Sequence, residues 1–151
     1  MPELKSRLQS DLTRSMKARD ELRTATIRMT LSAITAEEVA GKTARELGDD
    51  EVLRVITREA KKRREAAQAY NDGGRPELAE RELAEGQVLD AYLPTQLGDE
   101  ELTELVRAAV VQTRASGPRE MGVVMKVVQP QVAGRADGRR VSDEVRRQLA
   151  G

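Results

Sequence analysis

The chain is predicted to be all-α, with a four-helix N-terminal subdomain and a three-helix C-terminal subdomain. Three observations predict this. Apolar residues recur at three- and four-residue intervals along most of the chain, as one face of a helix requires. No stretch alternates with period two for long enough to argue a strand. Phe and Trp are absent and Tyr70 and Tyr92 are the only aromatics, so the core must be Leu, Val, Ile, Met and Ala. Such side chains suit closely packed helices.

Leu4, Leu8, Leu12 and Met16 stand four apart and predict a first helix with a narrow apolar stripe. From about Asp20 to Ala40, Leu22, Ala25, Ile27, Met29, Leu31, Ala33, Ile34 and Ala36 fall on more than one face. That second helix is therefore expected to be the most enclosed. Gly41 and Gly48 bracket a polar connection, and Asp49 or Asp50 is expected to cap a third helix through Val52, Val55, Ile56 and Ala60. It should stop at Asn71-Asp72-Gly73-Gly74. Pro76 suits the first position of a fourth helix, with Leu78, Leu83, Leu89, Tyr92 and Leu93 as its apolar face.

Pro94 ends that pattern, and the segment to Gly98 reads as a linker between subdomains 1–94 and 98–151. Gly98 can precede a helix led by Asp99-Glu100-Glu101, with Leu102, Leu105, Val106 and Ala109 as its stripe. Gly117, Pro118 and Glu120 are expected to start the next helix, which carries Met121, Val124, Met125 and Val128 inward. Gly122 is expected to permit close helix contact, and Pro130 to stop the helix. Ser142 is expected to cap the last one, ending near Leu149.

Formal charge is zero but uneven. Residues 1–45 carry nine Lys/Arg against six Asp/Glu, residues 46–104 eight against sixteen, and residues 105–151 nine against four. Basic ends around an acidic middle hint at a polyanionic partner. The hint is softened by the abundance of arginine throughout. Lys61-Lys62-Arg63-Arg64 spreads over most of a helix circumference and so forms no single patch. Glu59 and Glu65, four residues from Arg63 and Lys61, offer it intrahelical partners.

The richest segment for function is Gly134–Arg140, Gly-Arg-Ala-Asp-Gly-Arg-Arg. Gly134 and Gly138 allow positive φ and close backbone approach. Arg135, Arg139 and Arg140 present forks of donors suited to phosphate. Lys126, off the apolar stripe of the preceding helix, is an additional candidate phosphate contact. Asp137 would repel phosphate and is assigned to the turn, where a carboxylate accepts backbone hydrogen bonds. Taken alone, the segment reads as an interhelical turn, because its glycines match no phosphate-loop spacing. Tyr92, set in an apolar run, reads as packed with its hydroxyl at the edge rather than as a base-stacking platform.

These residues also carry a family likeness. Met-Gly-x-Val-Met-Lys from Met121, then Pro-x-Val-x-Gly-Arg-Ala-Asp-Gly-x-x-Val from Pro130, closely resembles the signature of the GatB/YqeY family. Thr26-Ile27-Arg28-Met29, Glu51-Val52-Leu53, Glu59-Ala60-Lys61-Lys62-Arg63, Tyr92-Leu93-Pro94 and Gln96-Leu97 extend the likeness along the whole chain. The family comprises the tail module of the B subunit of tRNA-dependent amidotransferases and free-standing small proteins. The resemblance implies a two-subdomain helical architecture and a C-terminal part that contacts tRNA. It turns the reading of Gly134, Arg135, Gly138, Arg139, Arg140 and Lys126 from a mere turn towards an RNA-backbone contact, electrostatic and shape-based in character. The structural residues are then Asp137, Gly122 and Pro130.

Catalysis is not expected. The chain has no His and no Cys, hence no usual general base, zinc ligand, thiolate or disulfide. It has no Walker-type nucleotide loop, and its paired carboxylates sit at helix starts. No catalytic residue, metal or cofactor is assigned. Two alternatives stay open beside RNA binding. One is an adaptor docking to translation or tRNA-modifying machinery. The other is an accessory to carbon–nitrogen ligase activity with glutamine as amido-N-donor, the activity of the larger enzyme. With no membrane-length apolar run and no signal-like N-terminus, a cytoplasmic protein is expected.

Overall fold

The structure is a computed structural model and describes residues 3–150. Among the described residues it is all-helical, with seven α-helices, one 3₁₀ turn and no strand. Two compact units form, Met1–Leu93 and Pro94–Gly151, dividing the chain at the proline that opens the expected linker. No described helix is long and apolar enough to cross a membrane.

The first unit contains α1 (Glu3–Lys17), α2 (Glu21–Glu38), α3 (Asp49–Asp72) and α4 (Pro76–Asp90). Asp20 caps α2, accepting from Arg23 N at 3.1 Å. Pro76 takes the first helical position of α4, and α3 ends at Gly73, with Gly74 left-handed at φ 74°. Leu8, Ile27, Ile34, Val52, Ile56, Ala60 and Leu89 fill its core.

Several expectations for this unit change. The second helix is not the most enclosed: it buries four of its 18 residues, a smaller share than the five of 15 that α4 buries. Of the apolar residues in α2 only Ile27 and Ile34 are fully buried, and Met29 is exposed. Met16 and Leu83 also face solvent, since each apolar stripe is wider in sequence than the neighbour covering it. Neither Asp49 nor Asp50 caps α3, whose N-cap position is Gly48. Asp49 Oδ1 instead accepts from Leu4 N at 3.0 Å, tying the start of α1 to that of α3.

Where α3 meets α4, a polar cluster interrupts the apolar packing. Glu59 and Glu85 are buried, and the half-buried Arg63 guanidinium lies 3.8 Å from Glu59, 3.7 Å from Glu82 and 3.4 Å from Glu85. Lys62 and Arg81 pair with Glu59 and Glu85 from the rim. Lys61 pairs with Glu65, as the spacing suggests. Tyr92 is buried, donates its hydroxyl to an Asp11 carboxylate oxygen, and carries the Arg7 guanidinium 4.6 Å above its ring. Burial, reinforced by Asp11, holds its phenol far above the ordinary tyrosine range.

The second unit contains α5 (Asp99–Thr113), the 3₁₀ turn Pro118–Glu120, α6 (Met121–Val132) and α7 (Gly138–Ala150). Leu102, Val106, Val124, Val128, Val141 and Val145 make its core.

Candidate nucleic-acid interface

The loop between α6 and α7 is built by local chain chemistry. Pro130 lies inside α6 rather than ending it. Its ring fixes φ near the helical value, and it costs only the bond its missing N–H would have made in the last turn. The helix closes two residues later at Val132. Gly134 then takes φ 72°, a left-handed conformation that a side chain resists. Arg135 N bonds back to the Val132 carbonyl at 2.8 Å, completing the reversal.

Asp137 behaves as a turn carboxylate should. Its Oδ1 accepts from Arg139 N at 2.9 Å, and its carbonyl accepts from Val141 N at 3.1 Å. That cap starts α7 at Gly138, four residues before Ser142. Gly138 has no positive φ and is simply the first helical residue. Ser142 is therefore interior to the helix, its hydroxyl bonded to the Arg139 carbonyl at 3.1 Å, and it caps nothing. The carboxylate wins because it satisfies a free amide of the first turn one helical turn earlier. Gly122 also departs from expectation. It is exposed and an added Cβ would meet nothing within 4 Å, so it mediates no close helix contact.

The arginines are divided in role. Arg135 Nε donates to the Thr95 carbonyl at 3.2 Å, while its own carbonyl accepts from Leu97 N at 2.8 Å. Arg140 Nη2 donates to the Leu97 carbonyl and to Asp99 Oδ1, each at 2.9 Å. Gln96 Nε2 donates to the Gly134 carbonyl at 2.8 Å. Leu97 buries its side chain in the core of the second unit. The loop thus clasps Thr95-Gln96-Leu97 mostly through backbone atoms, and two of the three signature arginines have donors committed to that clasp. Each guanidinium has five N–H groups, so neither is exhausted.

Arg139 and Lys126 differ. Both are exposed, and among the described residues neither side chain has an ion-pair partner. Arg146 and Arg147, further along α7, pair with Asp143 and Glu144 one turn earlier. Arg147 holds the Glu144 carboxyl below the usual carboxylate range.

Folding also redistributes charge. The basic tail shares its unit with Asp99, Glu100, Glu101 and Glu104, so residues 94–151 carry nine Lys/Arg against eight Asp/Glu. The excess of five seen from residue 105 onwards falls to one. Any basic character is a matter of individual unpaired cations. Sequence reasoning missed Gln96, Leu97 and Asp99 as partners of the loop, because pairing across some forty residues leaves no periodic trace. The available signal was Gln96-Leu97 in the family likeness. Among the described residues no group of three His, Cys, Asp or Glu is placed to hold a metal ion.

Comparison with known proteins agrees with that likeness. Residues 5–149 match the family described as YqeY-like protein. The chain is 34% identical over 145 residues to "altered inheritance of mitochondria protein 41, mitochondrial" of Pyrenophora tritici-repentis, covering 92% of this chain and 77% of that one. A similarly named protein of Clavispora lusitaniae is 27% identical over 133 residues, covering 86% and 76%. An uncharacterized Schizosaccharomyces pombe protein is 34% identical over 95 residues, covering 62% and 75%.

Proposed function

The chain belongs to the YqeY-like family, and from that premise we propose that it is a non-catalytic helical module that binds tRNA or another structured RNA through its C-terminal unit. The observation that carries the proposal is that Arg139 and Lys126, both in the signature segment, are exposed and have no ion-pair partner among the described residues, as is also true of Arg114 and Arg119 in the same unit, whose loop is held firmly by its own clasp. A phosphate can take an unpaired cation without breaking an existing ion pair, so these two side chains bind at the least cost. Arg135 and Arg140 contribute chiefly by fixing the loop and secondarily through their remaining donors. With two tyrosines, one of them buried, recognition rests on backbone charge and shape. The absence of His and Cys from the sequence supports a binding role over amide-transfer chemistry. We propose the cytoplasm as its compartment, which cell fractionation would check against the mitochondrial names of the fungal relatives.

The test is tRNA binding measured as a function of salt. Each neutralised phosphate adds about 0.7–0.9 to the slope of log affinity against log salt. The double variant Lys126→Ala, Arg139→Ala should stay folded and flatten that slope by between about one and two units. An unchanged slope in the folded variant, or no salt-dependent binding at all, favours the adaptor reading. The near-neutral charge of the second unit is the observation on that side.

A further inference from the structure

The first unit contains an open groove of about 190 Å³ between the end of α2, the connection after it and the start of α3. Arg45, Arg54 and Arg58 converge on it, with Glu37 and Glu51 beside them and the apolar side chains of Leu47 and Val55 completing the lining. Leu47 and Val55 are nearly inaccessible and belong to the packed core, which fixes the groove's shape. Glu51, Arg54, Val55 and Arg58 stand three, four and seven residues apart on one face of α3.

The pairing within the groove is uneven. Arg45 meets Glu51 at 2.6 Å and Arg58 meets Glu37 at 2.9 Å, both pairs about half exposed. Arg54 is exposed, and among the described residues it has no ion-pair partner. The groove therefore holds three guanidinium groups against two carboxylates, with the unpaired cation between the two pairs along the helix. Surface pairs of this kind contribute at most about 1 kcal/mol, so Arg45 and Arg58 can turn towards a stronger acceptor at little cost. Planar forks converging from several directions are the usual means of gripping tetrahedral phosphate oxygens. The volume equals that of roughly six liquid waters, enough for one phosphoryl group with part of its hydration. Glu37 and Glu51 would repel a bare anion, and they stay neutralised only while Arg45 and Arg58 keep some hold on them.

We propose that this groove is a phosphate-binding site, with Arg54 as the primary contact and Arg45 and Arg58 as flanking donors. Its ligand is a phosphoryl group, supplied either by a small phosphorylated molecule or by a nucleic-acid backbone. The site lies in the other unit from the loop of the preceding section, so the two proposals stand or fall separately.

The experiment uses the full-length ¹⁵N-labelled protein and amide chemical-shift mapping at low ionic strength, with pyrophosphate and a short oligouridylate as probes. Pyrophosphate should give saturable shifts centred on residues 45–58. In Arg54→Ala, an exposed helix position that tolerates alanine, affinity should fall by about tenfold or more, as expected for a lost charge-assisted bond. Arg54→Lys should recover part of it. Lys126→Ala, Arg139→Ala should leave this binding untouched. Stronger shifts at the same residues with oligouridylate identify a nucleic-acid backbone as the source, and shifts with pyrophosphate alone identify a small phosphorylated molecule. Shifts that never localise to residues 45–58 with either probe, or that survive unchanged in a folded Arg54→Ala or Arg54→Glu protein, overturn the proposal.

Discussion

Glu82 shows what a single buried oxygen can do to stability. Its Oε2 is shielded from water and has no hydrogen-bond partner among the described residues. Desolvation and the neighbouring Glu85 charge hold its carboxyl above the ordinary range, with Arg63 only partly compensating. A carboxyl whose folded pKa exceeds its unfolded value favours the fold below the unfolded pKa, and that contribution is lost as pH rises through the folded pKa. Glu82→Gln keeps the shape and removes the charge. Thermal melts should show this variant more stable than the parent at neutral pH, the gap closing as pH falls to the ordinary carboxylate range. A variant less stable at pH 7 would mean that Arg63 dominates the site. Glu38 has the opposite sign. Hydrogen bonds from Lys5 and Leu47 N hold its carboxyl low, so its contribution is present at neutral pH and fades under acid. At the signature loop, Asp137→Ala removes the cap of α7 and should cost about 1 kcal/mol in a denaturant melt. Arg140→Ala breaks its bonds to Leu97 and Asp99 and should cost roughly 1–2 kcal/mol. An Arg140→Ala protein of parental stability would show that the clasp is held by its other members.

Among elements, the two connecting segments of irregular chain behave differently for reasons of hydrogen bonding. Thr95–Leu97 would pass for a linker by composition, yet its carbonyls and amide are held by the α6–α7 loop. The connection between α2 and α3 is exposed from Val39 to Glu46, with few backbone bonds beyond Arg45 N to the Glu38 carbonyl at 3.0 Å. Cleavage needs several residues of free backbone, so brief trypsin treatment should cut first after Lys42. Mass spectrometry of the first fragments decides the matter. First scission at any other site would instead mean that another segment opens more readily than this connection. Legibility follows the same line. Helices α1 to α7 are visible because each carries its own 3.6-residue pattern, whereas the start of α7 is set by Asp137 and not by Ser142. Their exposed apolar residues, Met16, Met29 and Leu83, were misplaced because a pattern gives a face but not the width its neighbours cover.

At the level of the whole molecule, two separate cores divide the chain, each made of side chains from its own unit that are aliphatic except for Tyr92 in the first. The second unit is small, and burial is correspondingly thin in a chain of that length. It nonetheless closes its own hydrogen bonds and keeps Leu97 as part of its core. A fragment spanning residues 94–151 should therefore give a helical circular dichroism spectrum and a cooperative melt. One beginning at residue 99 should lose stability, through the missing Leu97 and the vacated clasp. Equal behaviour of the two fragments would remove the clasp from the folding account.

Family and fold class were determined by sequence, because helical periodicity and motif order are local properties of a chain. The sequence also placed Asp137 in a turn and Tyr92 in a packed setting for reasons visible within a few residues. Tertiary structure alone decided that Arg135 and Arg140 hold Thr95–Leu97, that the acidic residues at 99–104 nearly cancel the basic tail, and that Arg45, Arg54 and Arg58 meet in one groove. Charges and donors find partners through space, and the distance along the chain to a partner is set by how helices fold back upon one another.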